Sequence, residues 1–249
     1  MTKFVKDELG DEIALLALAF FCFFPPSLFL SAGYTEPLFL VFVLLSFILM
    51  TREKFALAAA MAGLSLGTRS TGIVMIPVIL WEMGRRNTLP WPLLLPRMAL
   101  CGLLAASGLL VYMAYLGIKF GHPLAFAKVQ DAWHVGTFLD RFVSGVTLAS
   151  IRHWNLWDGG WFLCFLAITI WSFRLLRVAV SLYGLGTLAL PYFALGTMVT
   201  RYMLVCLPAF MCLGILCKGR PWLVSALIGI FAALLLQNAA LFSQWYWVG

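Results

Sequence analysis

The sequence predicts an all-α fold, a polytopic membrane helix bundle of about seven spans with a short helical hairpin at 55–82. Composition is the first reason. Of the 249 residues, 63% are hydrophobic and 11% are charged, whereas a soluble domain has roughly 45–50% apolar and about 25% charged residues. The second reason is the mean hydropathy of +0.98. The third is that many apolar runs approach the length of roughly 20 residues that a helix needs to cross a bilayer.

This composition excludes several classes of protein. One soluble core cannot bury so much apolar surface, which excludes a soluble enzyme, a disordered chain and a secreted disulfide scaffold. The net charge of +7 does not indicate nucleic acid as a partner, because the basic residues are dispersed between apolar runs. The expected partner is the lipid bilayer.

The cysteines and histidines predict no metal site. The six cysteines lie within or at the end of apolar runs without CxxC spacing, which is typical of small buried hydrophobic residues. The three histidines are too widely spaced for a metal signature. No cofactor can be identified from the sequence, and a requirement for a divalent metal is left open.

The first elements follow from polarity and turn residues. Residues 1–12 are polar and predict a cytosolic tail, and a first span is expected over 13–32. The sequence SAGYTEP (31–37) contains neither Lys nor Arg and predicts a tight turn. A short second span is expected over about 37–50.

A hairpin is expected next, over 55–82. The stretch 55–81 is long enough for one helix, but Arg69 lies near its middle. A charged residue at the bilayer centre costs about 2.5–3.5 kcal/mol on insertion scales. We therefore predict two short helices, 55–68 and 72–82, which meet at a tip bearing Arg69 and have both ends in the cytosol.

The rest of the chain continues the bundle. A cytosolic loop is expected over 84–97 and an outer-face polar segment over 118–158. Further spans are expected at about 98–117, 160–173, 178–195, 202–217 and 222–241. The aromatic residues at 245–247 are typical of a membrane interface. Because no internal repeat or linker is visible, one transmembrane domain over 1–249 is the simplest interpretation.

The basic residues favour the hairpin. With the N-terminus in the cytosol, the predicted outer face carries six of the 17 basic residues and the inner face the remaining eleven. The outer six are Arg69, Lys119, Lys128, Arg141, Arg152 and Arg201. A single span over 55–81 would move Arg85, Arg86 and Arg97 outside, against the positive-inside rule.

The first group of site candidates is Tyr34, Thr35 and Glu36, in the turn before the second span. Thr35 or Glu36 can cap the following helix, with Pro37 in its first turn. Alternatively, Glu36 faces a substrate cavity at the rim of the membrane.

The second group is Arg69 and Ser70, at the predicted hairpin tip. An arginine beside a helix N-terminus is a favourable anion site, because the backbone N–H groups, the helix dipole and the guanidinium all attract phosphate. The alternatives are an ion pair between Arg69 and Glu36 or snorkelling of Arg69 to the interface.

Two further groups belong to the predicted outer face. Gln130 and Trp133 would share one face of an interfacial helix, as a sugar platform or as surface anchors. Asp131 is a carboxylate between them. Arg201 and Tyr202 open a later span and offer a second cation or an interfacial anchor.

Other motifs are few. The spacing Gly63-x-x-x-Gly67 predicts close helix packing. The sequence contains no Walker, GxSxG, HExxH or dinucleotide-binding motif, which weakens hydrolase and nucleotide-powered interpretations.

Four stretches together resemble the PIG-V-type mannosyltransferase family of the GT-C superfamily. They are FFPPSLFLSAGYTEPLFLVF, which ends at Phe42, LAAAMAGLSLGTRSTGIVMIP (57–77), PLAFAKVQDAWH (123–134) and TRYMLVCLPAF (200–210). They stand in the family's order and cover most of the chain. One departure is Thr71, where the family usually has Asn.

The resemblance implies a GT-C-like membrane fold and a glycosyltransferase. Such enzymes move a hexose, mannose in the named family, from a polyprenyl-phosphate carrier to an acceptor on the non-cytosolic face. A carboxylate activates the acceptor hydroxyl, for which Glu36 and Asp131 are the candidates. Arg69 and Ser70 would bind the leaving phosphate, with help from Arg201 and Tyr202. Tyr34, Thr35, Gln130 and Trp133 would bind substrate.

The resemblance also implies a missing part. GT-C enzymes carry their principal catalytic Asp in the first outer loop, and this chain starts after the corresponding point. The expectation is a truncated product, a partner subunit that supplies the loop, or loss of catalysis. The alternative function is therefore a non-catalytic membrane subunit or degenerate paralogue that binds lipid phosphate. A transporter is the least favoured alternative, because paired intramembrane charges and repeated halves are absent from the sequence. A bacterial plasma membrane is expected rather than the endoplasmic reticulum, because the chain is compact.

Overall fold

The protein is all-helical in the residues that the computed structural model describes, which are 1–86, 88–127, 156–195 and 200–246. These ranges contain no strand, which confirms the predicted all-α class for them. The helices are α1 (Thr2–Leu9), α2 (Asp11–Phe23), α3 (Glu36–Thr51), α4 (Phe55–Thr68), α5 (Met75–Arg86), α6 (Trp91–Phe120), α7 (Leu156–Leu175), α8 (Val178–Leu195), α9 (Thr200–Met203), α10 (Leu207–Cys217) and α11 (Pro221–Ser243). Two 3₁₀ segments, Pro25–Leu30 and Ser70–Val74, complete the elements of this part of the chain.

The chain divides into two compact units. Unit 1 comprises Met1–Pro37, Asn155–Leu188 and Met198–Gly249, and unit 2 comprises Leu38–Trp154 and Ala189–Thr197. The single transmembrane domain expected over 1–249 stays a prediction.

Unit 1 begins with an ordered helix where the sequence predicts a polar tail. Phe4 and Val5 of α1 are buried, and α1 packs against α2. An ion pair of 2.7 Å between Lys6 and Asp11 spans the turn at Gly10, and the hydrogen bond to Asp11 raises the pKa of Lys6. The N-terminal residues are folded because α1 has an apolar face that α2 covers.

A pair of prolines divides the first predicted span. The helix α2 ends at Phe23, and Pro25 and Pro26 open the 3₁₀ segment. Proline has no N–H to donate and its ring clashes with the preceding turn, so an α-helix does not continue through two of them. The span expected over 13–32 is therefore two shorter elements.

Aromatic side chains from three helices surround Phe24 in the core of unit 1. Phe24 is fully buried. Its ring centroid lies 5.6 Å from Trp161, 5.1 Å from Phe165, 5.3 Å from Phe210 and 5.6 Å from Phe231. Most of these pairs are edge-to-face, the arrangement that the ring quadrupole favours.

Small residues form the core of unit 2, where α4 packs against α6. A Cβ atom on Gly108 would collide with the backbone of Gly63 and Gly67. A Cβ atom on Gly63 would likewise collide with Leu104 and Ser107. The Gly63-x-x-x-Gly67 spacing is thus a close-packing motif, as predicted, and its partner is α6.

The helix break predicted at Arg69 is confirmed. The helix α4 ends at Thr68, the segment Ser70–Val74 follows, and α5 begins at Met75. A Cβ atom on Gly72 would lie 2.6 Å from the backbone of Leu66, so the chain folds back closely onto the last turns of α4.

Two of the described helices are long and apolar enough to cross a membrane, by length and composition. They are α6, with 30 residues, and α11, with 23. In their most apolar windows only 17% and 6% of the residues are buried in the protein. An apolar helix that the protein does not bury is typical of one that faces lipid. These two helices indicate that the protein is membrane-associated.

The helix α6 starts earlier than the span predicted at 98–117. It begins at Trp91, with Pro92 in its first turn, a position that proline tolerates because the first N–H groups of a helix have no intrahelical partner. The second half of the predicted loop at 84–97 is therefore helical.

The span predicted at 202–217 is also divided. The helix α9 ends at Met203 and α10 begins at Leu207, with Pro208 in its first turn. This break leaves Arg201 on a separate short helix.

Candidate functional site

The first candidate site lies in unit 1 and joins two stretches that are far apart in sequence. Nε of Arg201 donates to Oε1 of Glu36, a pair separated by 165 residues. The side chain of Glu36 is 0% exposed and that of Arg201 is 15% exposed. Glu36 opens α3, and Arg201 lies on α9.

Aromatic rings surround the guanidinium of Arg201. Its central carbon lies 4.6 Å from the ring centroid of Phe29 and 4.1 Å from that of Tyr34. These two rings meet edge-to-face at 5.0 Å and 88°, and Phe242 of α11 lies 6.0 Å from Phe29. The planar, weakly hydrated guanidinium suits such a site, because it forms an ion pair with the carboxylate and cation–π contacts with the ring faces.

Local sequence explains how these groups converge. Pro25 starts the 3₁₀ segment that carries Phe29, and Nδ2 of Asn238 donates to the Pro25 carbonyl at 3.3 Å. Gly33 then reverses the chain with a φ of +76°, a conformation that glycine adopts at little cost. The turn delivers Tyr34 and Glu36 to the same arginine.

This geometry changes the chemistry expected of Glu36. Its carboxylate is buried and already accepts from Arg201, so an acceptor hydroxyl would have to compete with a guanidinium for it. Arg201 is equally engaged, so an incoming phosphate would compete with Glu36 for it. Of the neighbouring predicted residues, Thr35 is exposed, and Tyr34 and Tyr202 are half-buried.

The second candidate site is the tip between α4 and α5, in unit 2. Arg69 is half-buried with an extended backbone (φ −151°, ψ 137°), and Ser70 beside it is exposed. Thr71 is 3% exposed. Its hydroxyl oxygen is buried and has no hydrogen-bond partner among the residues that the structure describes. A buried hydroxyl normally has a partner, so Thr71 keeps an unsatisfied hydrogen-bonding group in the segment that follows Arg69.

The third group of predicted residues cannot be placed. Gln130, Asp131 and Trp133 lie outside the described residues. Their roles as a sugar platform and as a catalytic carboxylate stay predictions.

Unit 2 contains a basic cleft. In the sequence analysis its basic residues served only to predict topology. The cleft has a volume of about 680 Å³, and Lys54, Arg86 and Arg97 are among its lining residues. The turn after α3 and the connection between α5 and α6 therefore lie around one cleft, as expected if both ends of the hairpin lie on the same side. The sequence contains one indication of this cleft: the count of basic residues places these three cations on the same, inner side of the membrane.

A buried carboxylate stands beside this cleft. Glu82 is 1% exposed and binds Arg85 at 2.9 Å and Arg86 at 2.5 Å. Burial raises the pKa of Glu82, but the hydrogen bonds and charges of the two arginines outweigh it, so the pKa lies below its ordinary value. Glu82 is thus ionised near neutral pH and holds Arg86 in place.

No group of three or more His, Cys, Asp or Glu side chains that could hold a metal ion occurs within the described ranges. The six cysteines are all free thiols. Comparison of the chain with family models, curated proteins and solved structures finds no match.

Proposed function

We propose that the protein is an integral-membrane glycosyltransferase that takes a hexose from a polyprenyl-phosphate carrier on the non-cytosolic face. The family resemblance points to mannose as that hexose.

The observation that carries this proposal is the tip at Arg69. A helix break there carries a half-buried arginine, and the buried Thr71 hydroxyl lacks a partner among the described residues. The resemblance assigns lipid-phosphate binding to this stretch. A guanidinium and a hydroxyl donor are the groups that stabilise the charge of a leaving phosphate.

The proposed reaction is an inverting displacement. A carboxylate takes the proton of the acceptor hydroxyl, the hydroxyl oxygen attacks the anomeric carbon, and the bond from that carbon to the lipid phosphate breaks. Arg69 and Ser70 bind the phosphate. Because Glu36 is engaged by Arg201, we assign the base to Asp131 or to a loop supplied by a partner subunit.

The Glu36–Arg201 pair has a positioning role in this proposal. It fixes the turn that carries Tyr34 and Thr35 against α9, and so arranges the residues proposed to bind substrate. Removing one member of a buried ion pair costs about 3–5 kcal/mol, because the other charge stays buried without compensation.

The proposal includes a topology and a location. We place the N-terminus in the cytosol, the tip at Arg69 on the outer side, and about seven spans in a GT-C-like bundle. A bacterial plasma membrane is the proposed location.

The test measures sugar transfer by the purified full-length protein in lipid nanodiscs. Polyprenyl-phosphate mannose, labelled in the sugar, is the donor, and a total membrane lipid extract supplies acceptors. Arg69→Ala should lower transfer at least tenfold, since a hydrogen bond to a charged group is worth about 1.5–3 kcal/mol and about 1.4 kcal/mol is tenfold in rate. Arg69→Lys should retain part of it. Arg52→Ala, which removes an exposed arginine elsewhere in unit 2, is the matched control and should leave transfer unchanged.

A second candidate function is a non-catalytic subunit that binds lipid phosphate. The engagement of Glu36 by Arg201 favours it, because this carboxylate is the principal base candidate within the described residues. Binding of polyprenyl phosphate that depends on Arg69, without transfer from mannose or glucose donors, would identify this function. Full transfer by Arg69→Ala, or the absence of both binding and transfer, would reject the proposed site.

A further inference from the structure

The basic cleft in unit 2 has chemistry that the proposed sugar transfer does not use. It is lined by the turn after α3, the first turn of α4, the end of α5 and the first part of α6. Its volume of about 680 Å³ is in the range of sites that hold small molecules or lipid headgroups.

The lining of this cleft is rich in positive charge. Lys54, Arg86 and Arg97 line it, together with the single acidic side chain of Glu53. Arg86 is neutralised by Glu82. For Lys54 and Arg97 the structure gives no ion pair with any residue it describes, so their charges are available to an anion.

The backbone holds one side of the cleft in a fixed turn. The N–H of Lys54 donates to the Leu49 carbonyl at 3.0 Å, and the N–H of Glu53 donates to the Met50 carbonyl at 3.1 Å. Glu53 has a φ of +58°. This double closure is the Schellman motif, in which glycine usually takes the left-handed position. Lys54 is therefore presented by a turn whose geometry is set before any ligand binds.

Exposed apolar side chains adjoin the cations. Leu57 and Leu100 line the cleft and are 53% and 54% exposed. Leu100 belongs to α6, which is one of the two described helices able to cross a membrane. Trp91 begins that helix and is 66% exposed, as expected for an interfacial aromatic residue.

We propose that this cleft binds the phosphate headgroup of an anionic membrane phospholipid, with Lys54 and Arg97 as its ligands and the acyl chains along Leu57 and Leu100. Basic pockets between membrane helices bind such headgroups because the cations meet the phosphate where the helix meets the interface. A free phosphate ion would use the cations and leave both leucines exposed. The site goes beyond the proposed sugar transfer and does not involve Arg69.

The experiment measures lipid binding to the full-length protein in a neutral detergent. Native mass spectrometry counts bound dioctanoyl phosphatidylglycerol, with dioctanoyl phosphatidylcholine and inorganic phosphate as separate arms. The double variant Lys54→Gln/Arg97→Gln removes both proposed ligands. Both side chains are exposed, so the fold is expected to survive, which circular dichroism checks. Arg52→Gln removes an exposed charge from the same turn without touching the cleft and is the matched control.

The expected result is phosphatidylglycerol binding that weakens at least tenfold in the double variant and is unchanged in Arg52→Gln. Phosphatidylcholine should bind at least tenfold more weakly than phosphatidylglycerol to the unmodified protein. Equal losses in Arg52→Gln and in the double variant would overturn the proposal, because the effect would then be general surface charge. Unchanged binding in the double variant would overturn it as well. Inorganic phosphate that competes at the same concentration as the lipid would identify a free-phosphate site instead.

Discussion

The two units pack their helices by opposite means. Unit 1 fills its core with large rings, and Phe24 touches aromatic side chains from α7, α10 and α11. Unit 2 brings α4 and α6 together through glycine, with no room for a Cβ atom at Gly63 or Gly108. Large rings hold helix axes apart and fill the space between them, whereas small residues let backbones approach and gain dispersion contacts directly. The difference teaches that apolar helices can be packed by volume or by proximity, according to the size of the side chains at the contact.

The largest expected effect is in the aromatic core. Phe24→Ala should destabilise the protein by about 3–5 kcal/mol, because it removes four ring contacts and leaves a cavity. Phe23→Ala, at a neighbouring position that is 41% exposed, is the control and should change stability far less. Equilibrium unfolding of the two variants in detergent micelles measures the difference. Equal losses would mean that the ring cluster does not carry the packing of unit 1.

The close contact between α4 and α6 at Gly63 and Gly108 should be sensitive to the addition of one methyl group. Gly108→Ala should destabilise by about 1–3 kcal/mol, because its Cβ atom meets backbone that cannot move aside cheaply. Gly102→Ala adds the same methyl group to the same helix where nothing lies within 4 Å. Alanine favours a helix over glycine by about 1 kcal/mol, so this control should be neutral or stabilising. If both variants gained stability in the same unfolding measurement, close packing of α4 and α6 through glycine would be refuted.

The units also differ in how they hold a buried carboxylate. Glu36 of unit 1 binds an arginine 165 residues away, whereas Glu82 of unit 2 binds Arg85 and Arg86, three and four residues further along one helix. A distant pair ties together two parts of a unit and depends on its tertiary fold. A local pair stabilises one helix end and can form as soon as that helix does.

The smallest expected effect is the pH dependence of the local pair. The folded-state pKa of Glu82 is lowered from 4.5, so the unfolded state takes up its proton first as the pH falls. The contribution to stability is therefore complete well above pH 4.5 and is lost as the pH falls through the lower, folded-state pKa. Glu82→Gln should lower Tm at pH 7, and its difference from the unmodified protein should shrink on acidification. Thermal unfolding between pH 7 and pH 3 checks this, and a difference that is independent of pH would exclude the carboxylate charge as the cause.

Parts of the fold were predictable because their causes are local. The break at Arg69 follows from the cost of a charge in mid-helix, and the spacing of Gly63 and Gly67 indicates close packing. The folding of residues 1–12 was missed, because the burial of Phe4 depends on a neighbouring helix. The division of the first span was missed although Pro25 and Pro26 signal it, since hydropathy alone does not register a missing hydrogen bond.

The sequence by itself determined that the protein is helical, rich in apolar residues, and interrupted at Arg69, where a mid-helix charge disfavours a continuous helix. These properties follow from composition and from neighbours within one or two turns. Only the tertiary structure decided that Arg201 is the partner of Glu36 and that Lys54 and Arg97 share a cleft. Such pairings join residues that are distant in the chain. Their choice depends on which helices pack together, and no local pattern encodes that.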